Sequence, residues 1–198
     1  MPRFNSWLDW FLKPIVVGTQ KGDVLSLEGN GLPGKIFGRG GNGRRIGGNR
    51  SERLVGGWGH DDIAGGRGND KIFGGTGNDT MSGGEGYDQI WGGRGRDTAV
   101  YEGSVFGYSW EQGWFRKFYV KDIDHSDGNT AIDTLRGVEL LQFDDYTFKL
   151  RGANAALVLG EAATTDEDPP VVIAFDAYAF DGGPVTVGKR CTDTGRGR

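Results

Sequence analysis

Residues Gly56–Val100, cut every nine letters, read GGWGHDDIA, GGRGNDKIF, GGTGNDTMS, GGEGYDQIW and GGRGRDTAV. Glycine stands at places one, two and four and aspartate at place six, five times in succession. Glycines at those places allow positive φ and let backbone carbonyls crowd toward a common point without a Cβ in the way. The aspartate adds a carboxylate to the same turn. In the unit Gly65–Phe73 the last three residues, Lys71, Ile72 and Phe73, are long enough for a short strand that sends Ile72 to one face and its neighbours to the other. Turn and strand therefore alternate, and the architecture is an all-β solenoid.

Two nonapeptides make one coil, so units two apart stack on the same edge. Asp61, Asp79 and Asp97 line one edge, and Asp70 and Asp88, with Glu52 beneath them, line the other. Ile63, Ile72, Met81, Ile90 and Ala99 at place eight form inward ladders. Stacked strands lie about 4.8 Å apart, and like carboxylates at that spacing repel unless a cation stands between them. Calcium accepts six to eight oxygens in flexible geometry, whereas magnesium prefers a smaller octahedral shell and keeps its waters. The pattern favours calcium.

The core of such a unit is thin. One buried aliphatic side chain contributes about 2 to 3 kcal/mol, against roughly 1 to 2 kcal/mol per residue of backbone ordering. The array is expected not to fold without metal. A site of about 0.1 mM affinity in millimolar calcium adds roughly 1.4 kcal/mol by linkage, and stacked sites should cooperate because each unit serves ions above and below. The expectation is a module whose folding is triggered by calcium.

The period extends upstream. Frames opening at Gly47, Gly38 and Gly29 keep Val55, Ile46 and Phe37 at the ninth place, but place six is now Glu52, Gly43 and Gly34, and Arg45 interrupts the apolar eighth place. A coil there is expected to push Arg45 outward, and Glu52 by itself reads as a turn former. Still earlier, VGTQKGDVLSL reads as an opening strand with Asp23 in a comparable turn, two residues out of frame. Downstream, VFGYSW through DDYTFKL alternates aromatic and β-branched runs with turn residues, the mark of hairpin strands. A break follows at GEAATTDEDPP, then a strand-like VVIAF and a Gly- and Arg-rich end that reads as disordered. The expected layout is 1–17 an N-terminal segment, in which Trp7, Leu8, Trp10, Phe11 and Leu12 suit a short capping helix, 18–55 degenerate repeats, 56–100 the regular array, 101–152 a β-rich cap and 153–198 a linker and tail.

Composition narrows the function. The chain has 198 residues, 38 of them glycine, and a formal charge of −4, which argues against polyanions such as nucleic acid. No apolar run approaches the roughly 18 residues of a membrane span, and Asp9, Lys13 and Pro14 interrupt the first segment where a signal peptide needs apolar residues. A membrane partner is not expected. Cys191 is the single cysteine, which excludes an internal disulfide and a structural thiolate zinc site. Metal must be held by oxygen. His60 fills a variable place in its unit and reads as exposed, and neither it nor His125 sits in a catalytic motif, so no enzyme is expected. Asp122, Asp124 and Asp127 approach an EF-hand spacing, but the glycine falls one place late and no glutamate closes the loop, so a solvated hairpin turn is the better reading. Arg39, Arg44, Arg45, Arg50 and Arg53 give GRGGNGRRIGGNRSERL the look of an arginine-glycine RNA-binding segment. Its glycines, however, keep the phase of the acidic units.

The five units resemble the RTX family of haemolysin-type calcium-binding repeats, G-G-x-G-x-D-x-aliphatic-x. The resemblance implies a right-handed parallel β-roll, type I secretion through a C-terminal signal, and calcium bound outside the cell by an exported or surface protein. By position it implies Asp61, Asp70, Asp79, Asp88 and Asp97 as carboxylate ligands, with carbonyls of Gly57, Gly59, Gly66, Gly68, Gly75 and Gly77 as further donors. Pairing the acids two units apart gives three ions, Asp61 with Asp79, Asp79 with Asp97 and Asp70 with Asp88, and Glu52 with Asp70 makes a fourth. The segment after the repeats is similar to the β-rich flank that covers the open end of such rolls. TTDEDPPVVIAF is similar to the opening of a cadherin-like adhesin domain, which leaves a calcium-stiffened adhesin spacer as the alternative. The ending KRCTDTGRGR lacks the apolar finish of that family's secretion signal, the mark of a fragment or a truncated reading frame.

Overall fold

The five strands between residues 53 and 94 each begin just after place six, run through the aliphatic residue at place eight, and continue through the first two glycines of the next unit. The computed structural model describes residues 13–113, 117–124 and 131–150. Its strands are β1 (Ile15–Val17), β2 (Val24–Ser26), β3 (Lys35–Phe37), β4 (Arg44–Gly48), β5 (Arg53–Trp58), β6 (Asp62–Arg67), β7 (Lys71–Thr76), β8 (Thr80–Glu85), β9 (Gln89–Arg94) and β10 (Thr98–Val100), then β11 (Tyr108–Gln112), β12 (Lys117–Asp122), β13 (Ile132–Arg136), β14 (Leu140–Gln142) and β15 (Thr147–Lys149). The first ten alternate between two sheets. One has the order β1-β3-β5-β7-β9-β13-β12-β11 and the other β15-β14-β10-β8-β6-β4-β2.

Pairing along the roll is parallel, and residues 18 apart stand opposite one another: Lys71 with Gln89, Asp62 with Thr80, Arg53 with Lys71. The degenerate frames coil in the same register, Lys35 opposite Arg53 and Arg44 opposite Asp62. The first coil is longer: Ile15 stands opposite Lys35 and Val24 opposite Arg44, an offset of 20 that carries the two-residue frame shift. The inward ladders are Ile36, Leu54, Ile72, Ile90 and Leu135 from one sheet and Ile63, Met81, Ala99 and Leu141 from the other, all buried.

Arg45 differs from expectation. It takes the inward place eight of β4 and is wholly enclosed instead of being pushed out, because Gly38 and Gly43, having no Cβ, leave room for its guanidinium, which binds Asp61 and the Gly56 carbonyl. The neighbouring arginines are also engaged. Arg44 pairs with Asp62 at 3.4 Å, Arg53 lies over the Phe73 ring at 4.5 Å, and Arg50 Nε donates to the Gly31 carbonyl. The Arg-Gly segment is thus folded into the coils of the roll.

After β10 the chain leaves the roll and returns. β11, β12 and β13 form an antiparallel meander, but β13 also pairs parallel with β9, Leu135 opposite Ile90. β14 pairs parallel with β10 and antiparallel with β15. Two strands of the cap are therefore one further coil, with the hairpins attached to it. Tyr101, Tyr108, Trp110, Phe143 and Phe148 gather there, with ring centroids 5.1 to 6.0 Å apart in the closest pairs. The capping helix over Trp7 to Leu12, His125, Asp127, Cys191, VVIAF and the tail lie outside the described residues.

Candidate metal centre

The place-six acids lie immediately before strands β6 to β10, which turns their side chains into the edge of the roll. Asp61, Asp70, Asp79, Asp88 and Asp97 are each at most 2% exposed. One oxygen of each is accounted for: Oδ1 accepts the backbone N–H of the residue 18 places earlier, Gly43 to Asp61, Glu52 to Asp70, Asp61 to Asp79, Asp70 to Asp88 and Asp79 to Asp97, at 2.7 to 3.0 Å. The acids therefore tie each coil to its neighbour.

The second oxygen is different. Oδ2 of all five is buried with no hydrogen-bond partner. Each faces the first glycine of its own unit, and for Asp61, Asp70, Asp79 and Asp97 a carbonyl one coil on, that of Gly74, Gly83, Gly92 and Gly137 in turn, faces the same glycine. A Cβ on Gly74 would run into Asp79 Oδ2 and the Gly92 carbonyl, and one on Gly65 into Asp70 Oδ2 and the Gly83 carbonyl. Glycine at place one is thus required by a lined cradle. A buried carboxylate oxygen without a donor is costly, and here the cost recurs at every unit.

Burial is the main reason these acids resist ionisation. It pushes Asp70 up to about 8, with Asp88 and Glu52 adding repulsion, and Asp88 and Asp97 up to about 6. Asp61 and Asp79 are raised as well, chiefly by burial. Among the described residues no three or more His, Cys, Asp or Glu side chains converge on one point. Any ion must rely on a few carboxylate oxygens completed by backbone carbonyls. That donor set is all hard oxygen, which suits calcium and excludes thiolate- or imidazole-seeking metals.

Residues 46–81, 55–90 and 73–100 match the family described as RTX calcium-binding nonapeptide repeat (4 copies). These coils are RTX calcium-binding repeats. No curated protein matches the chain.

The RTX coils use their glycines in two ways. Gly57, Gly59, Gly66, Gly68, Gly75 and Gly77 all have φ between 103° and 124°, closed to L side chains. Carbonyls of Gly57, Gly59, Gly66 and Gly68 point at the glycine one coil on, Gly75, Gly77, Gly84 and Gly86, where a Cβ would collide. The carbonyls beside the partnerless carboxylate oxygens are those of the place-one glycines Gly74, Gly83 and Gly92 and of Gly137. The consensus spacing does not distinguish these two sets.

Glu52, placed beneath Asp70 by the spacing but read by itself as a turn former, takes part in the edge, and so do several residues that the sequence reading did not single out. Glu52 is buried, its Oε2 accepts the Gly48 N–H, and its Oε1 has no partner, so it continues the Asp70–Asp88 column. At the other end Asp133 Oδ1 accepts the Asp88 N–H at 2.9 Å, and Glu139 Oε2 accepts the Asp97 N–H at 2.8 Å. Burial, together with repulsion from Asp88, pushes Asp133 up to about 8. The available signal was the run Asp133-Thr134-Leu135, which repeats Asp97-Thr98-Ala99. Place five supplies a second ladder: Asn42 Oδ1, His60 Nδ1 and Asn78 Oδ1 accept the N–H of His60, Asn78 and Arg96 in turn. His60 is exposed, as expected, but it is also one rung of that ladder.

Proposed function

We propose that this chain is a calcium-dependent folding module of an exported protein, open at cytosolic calcium and closed into its roll at the millimolar calcium outside the cell. The observation that carries the reading is the row of buried Oδ2 atoms of Asp61, Asp70, Asp79, Asp88 and Asp97, each without a donor and four of them, all but Asp88's, beside a backbone carbonyl. A bound calcium ion supplies positive charge and oxygen affinity to that row. The residues that would hold it are the pairs Asp61 and Asp79, Asp79 and Asp97, and Asp70 and Asp88, with Glu52 and Asp70 as a fourth. Place-one carbonyls complete the set, and the glycines at places two and four hold the turns open. Asp133 and Glu139 extend both columns by one step.

The role is structural. The carboxylates hold the neighbouring coil through Oδ1 and await charge compensation through Oδ2, so calcium level sets whether coils stack. Regular coils over 56–100, flanked by degenerate coils over 18–55 and the cap over 101–152, make the folding unit, and the type I secretion apparatus is the export partner proposed for the parent protein. Far-UV circular dichroism during calcium titration, with magnesium as control and Asp79→Ala beside it, tests this. A cooperative gain of β signal with calcium alone, moved to higher calcium in the variant, is expected. A spectrum indifferent to calcium overturns the reading.

A further inference from the structure

The unit Gly38–Ile46 departs from the repeat twice, with Gly43 in place of the acid and Arg45 in place of the inward aliphatic residue. In the structure each change answers the other. The Arg45 side chain starts from the inward ladder of β4 and reaches the edge of the roll where the carboxylates stand. Its Nη1 donates to Asp61 Oδ1 at 2.9 Å and its Nη2 to the Gly56 carbonyl at 2.8 Å. Both partners of the ion pair are fully shielded from solvent.

The neighbouring coils show what this position normally holds. Gly56 faces Asp61 Oδ2 and the Gly74 carbonyl, Gly74 faces Asp79 Oδ2 and the Gly92 carbonyl, and Gly92 faces Asp97 Oδ2 and the Gly137 carbonyl. One coil earlier, Gly18 faces Asp23 Oδ2 and the Gly38 carbonyl. At Gly38 the carbonyl is still present, that of Gly56, but the second group is Arg45 Nη2. A Cβ at residue 43, from which a place-six acid would project, would strike Arg45 Nη1. A cation has therefore taken the room of a carboxylate within a column whose members on either side, Asp23 and Asp61, are acids.

We infer that the Arg45 guanidinium is a resident cation, standing in for the calcium ion that an acid at residue 43 would share with Asp61, so that this slot takes no calcium. A guanidinium stays protonated at any relevant pH and presents a rigid fork of donors. It compensates Asp61 whatever the calcium level. On the opposite edge of these early coils place six is Gly34, where a Cβ would meet Leu27 Cδ1, so an apolar side chain fills that turn. The coils before Glu52 are thus closed by the chain's own groups. They form a calcium-independent platform, and metal dependence starts with Asp61–Asp79 on one edge and Glu52–Asp70 on the other.

This inference rests on the calcium reading of the regular coils. The experiment compares the full chain with Gly43→Asp/Arg45→Ile, which restores the repeat, and with Arg45→Leu, which leaves Asp61 uncompensated. Calcium bound per chain is counted by equilibrium dialysis, and the calcium midpoint of folding is read by circular dichroism. The double variant should bind one calcium more than the parent and reach the same β signal at saturation. Arg45→Leu should need roughly tenfold more calcium, since a buried ion pair stripped of one partner is strongly destabilising. If the parent binds no calcium, the reading of the regular coils fails. If the parent binds calcium but the double variant gains no ion, or reaches no β signal at any calcium concentration, the inference about Arg45 alone is overturned. An Arg45→Leu midpoint equal to the parent's would overturn it as well.

Discussion

The backbone N–H of Asp88 is held at 2.9 Å by the carboxylate of Asp133, 45 residues further along the chain. Within the repeats the same bond joins residues 18 apart. The cap therefore supplies the last rung of a ladder that the repeats begin.

Removing that rung separates its hydrogen-bonding part from its ionic part. Asp133→Asn keeps an acceptor for the Asp88 N–H but loses the charge, and it should lower the number of bound calcium ions while leaving the saturated fold intact. Asp133→Ala loses both, and should cost about 1 to 3 kcal/mol more for the unsatisfied buried donor. Calcium stoichiometry and urea unfolding at saturating calcium distinguish the two. Equal behaviour of the variants would contradict the division.

Acidity should act in opposite directions with and without calcium. Asp88 and Asp97 are pushed up to about 6 and Asp70 and Asp133 to about 8, well above the ordinary value of 3.8. A group that binds its proton more tightly when folded stabilises the fold below its unfolded pKa, and that stability is lost as pH rises through the folded value. The metal-free roll should therefore be most stable near pH 4 and weaken up to about pH 8. Calcium needs the ionised acids, so its midpoint should fall as pH rises from 6 to 8, with protons released on binding. Circular dichroism in chelator at several pH values checks the first claim and calorimetry in two buffers the second.

Place-one glycine is required by the cradle. Gly74→Ala puts a methyl group against Asp79 Oδ2 and the Gly92 carbonyl, and overpacking of this kind costs about 1 to 3 kcal/mol. The variant should need more calcium to fold and should bind less of it. Gly31→Ala is the control, because nothing lies within 4 Å of the added carbon. A parallel calcium titration of the two decides the matter.

On the outer face Phe73 and Trp91 stack with centroids 4.4 Å apart and ring planes 1° from parallel. They sit at place nine of units two apart, so they meet only when the coils are stacked. Phe73→Ala should lower stability at saturating calcium by about 0.5 to 1.5 kcal/mol beyond the lost area, with the number of bound ions unchanged. Thermal unfolding and dialysis together test that separation.

The regular part of this protein was legible because it is local geometry repeated. The period of nine, the inward place eight, the two edges and the assignment of Asp61, Asp79 and Asp97 to one of them and Asp70 and Asp88 to the other follow from strand alternation and turn chemistry within a few residues. Even the two-residue offset of Asp23 survives as the longer pairing step between β2 and β4. Composition likewise pointed to oxygen ligands, since one cysteine and two histidines leave little else.

What lay beyond the sequence were the places where a group from another coil replaces the repeat's own. Arg45 looked like a fault in the apolar ladder, because its value depends on Asp61 and the Gly56 carbonyl in the following coil and on the missing Cβ of Gly43. Asp133 and Glu139 looked like hairpin residues, because only the parallel pairing of β13 with β9 and of β14 with β10 shows that the coil resumes after the excursion. Likewise, which carbonyls face the orphaned carboxylate oxygens is set by the stacking of whole coils. Periodicity determined where each side chain starts; contacts between distant coils decided where it ends, since burying a charge depends on which partner lies within hydrogen-bonding reach.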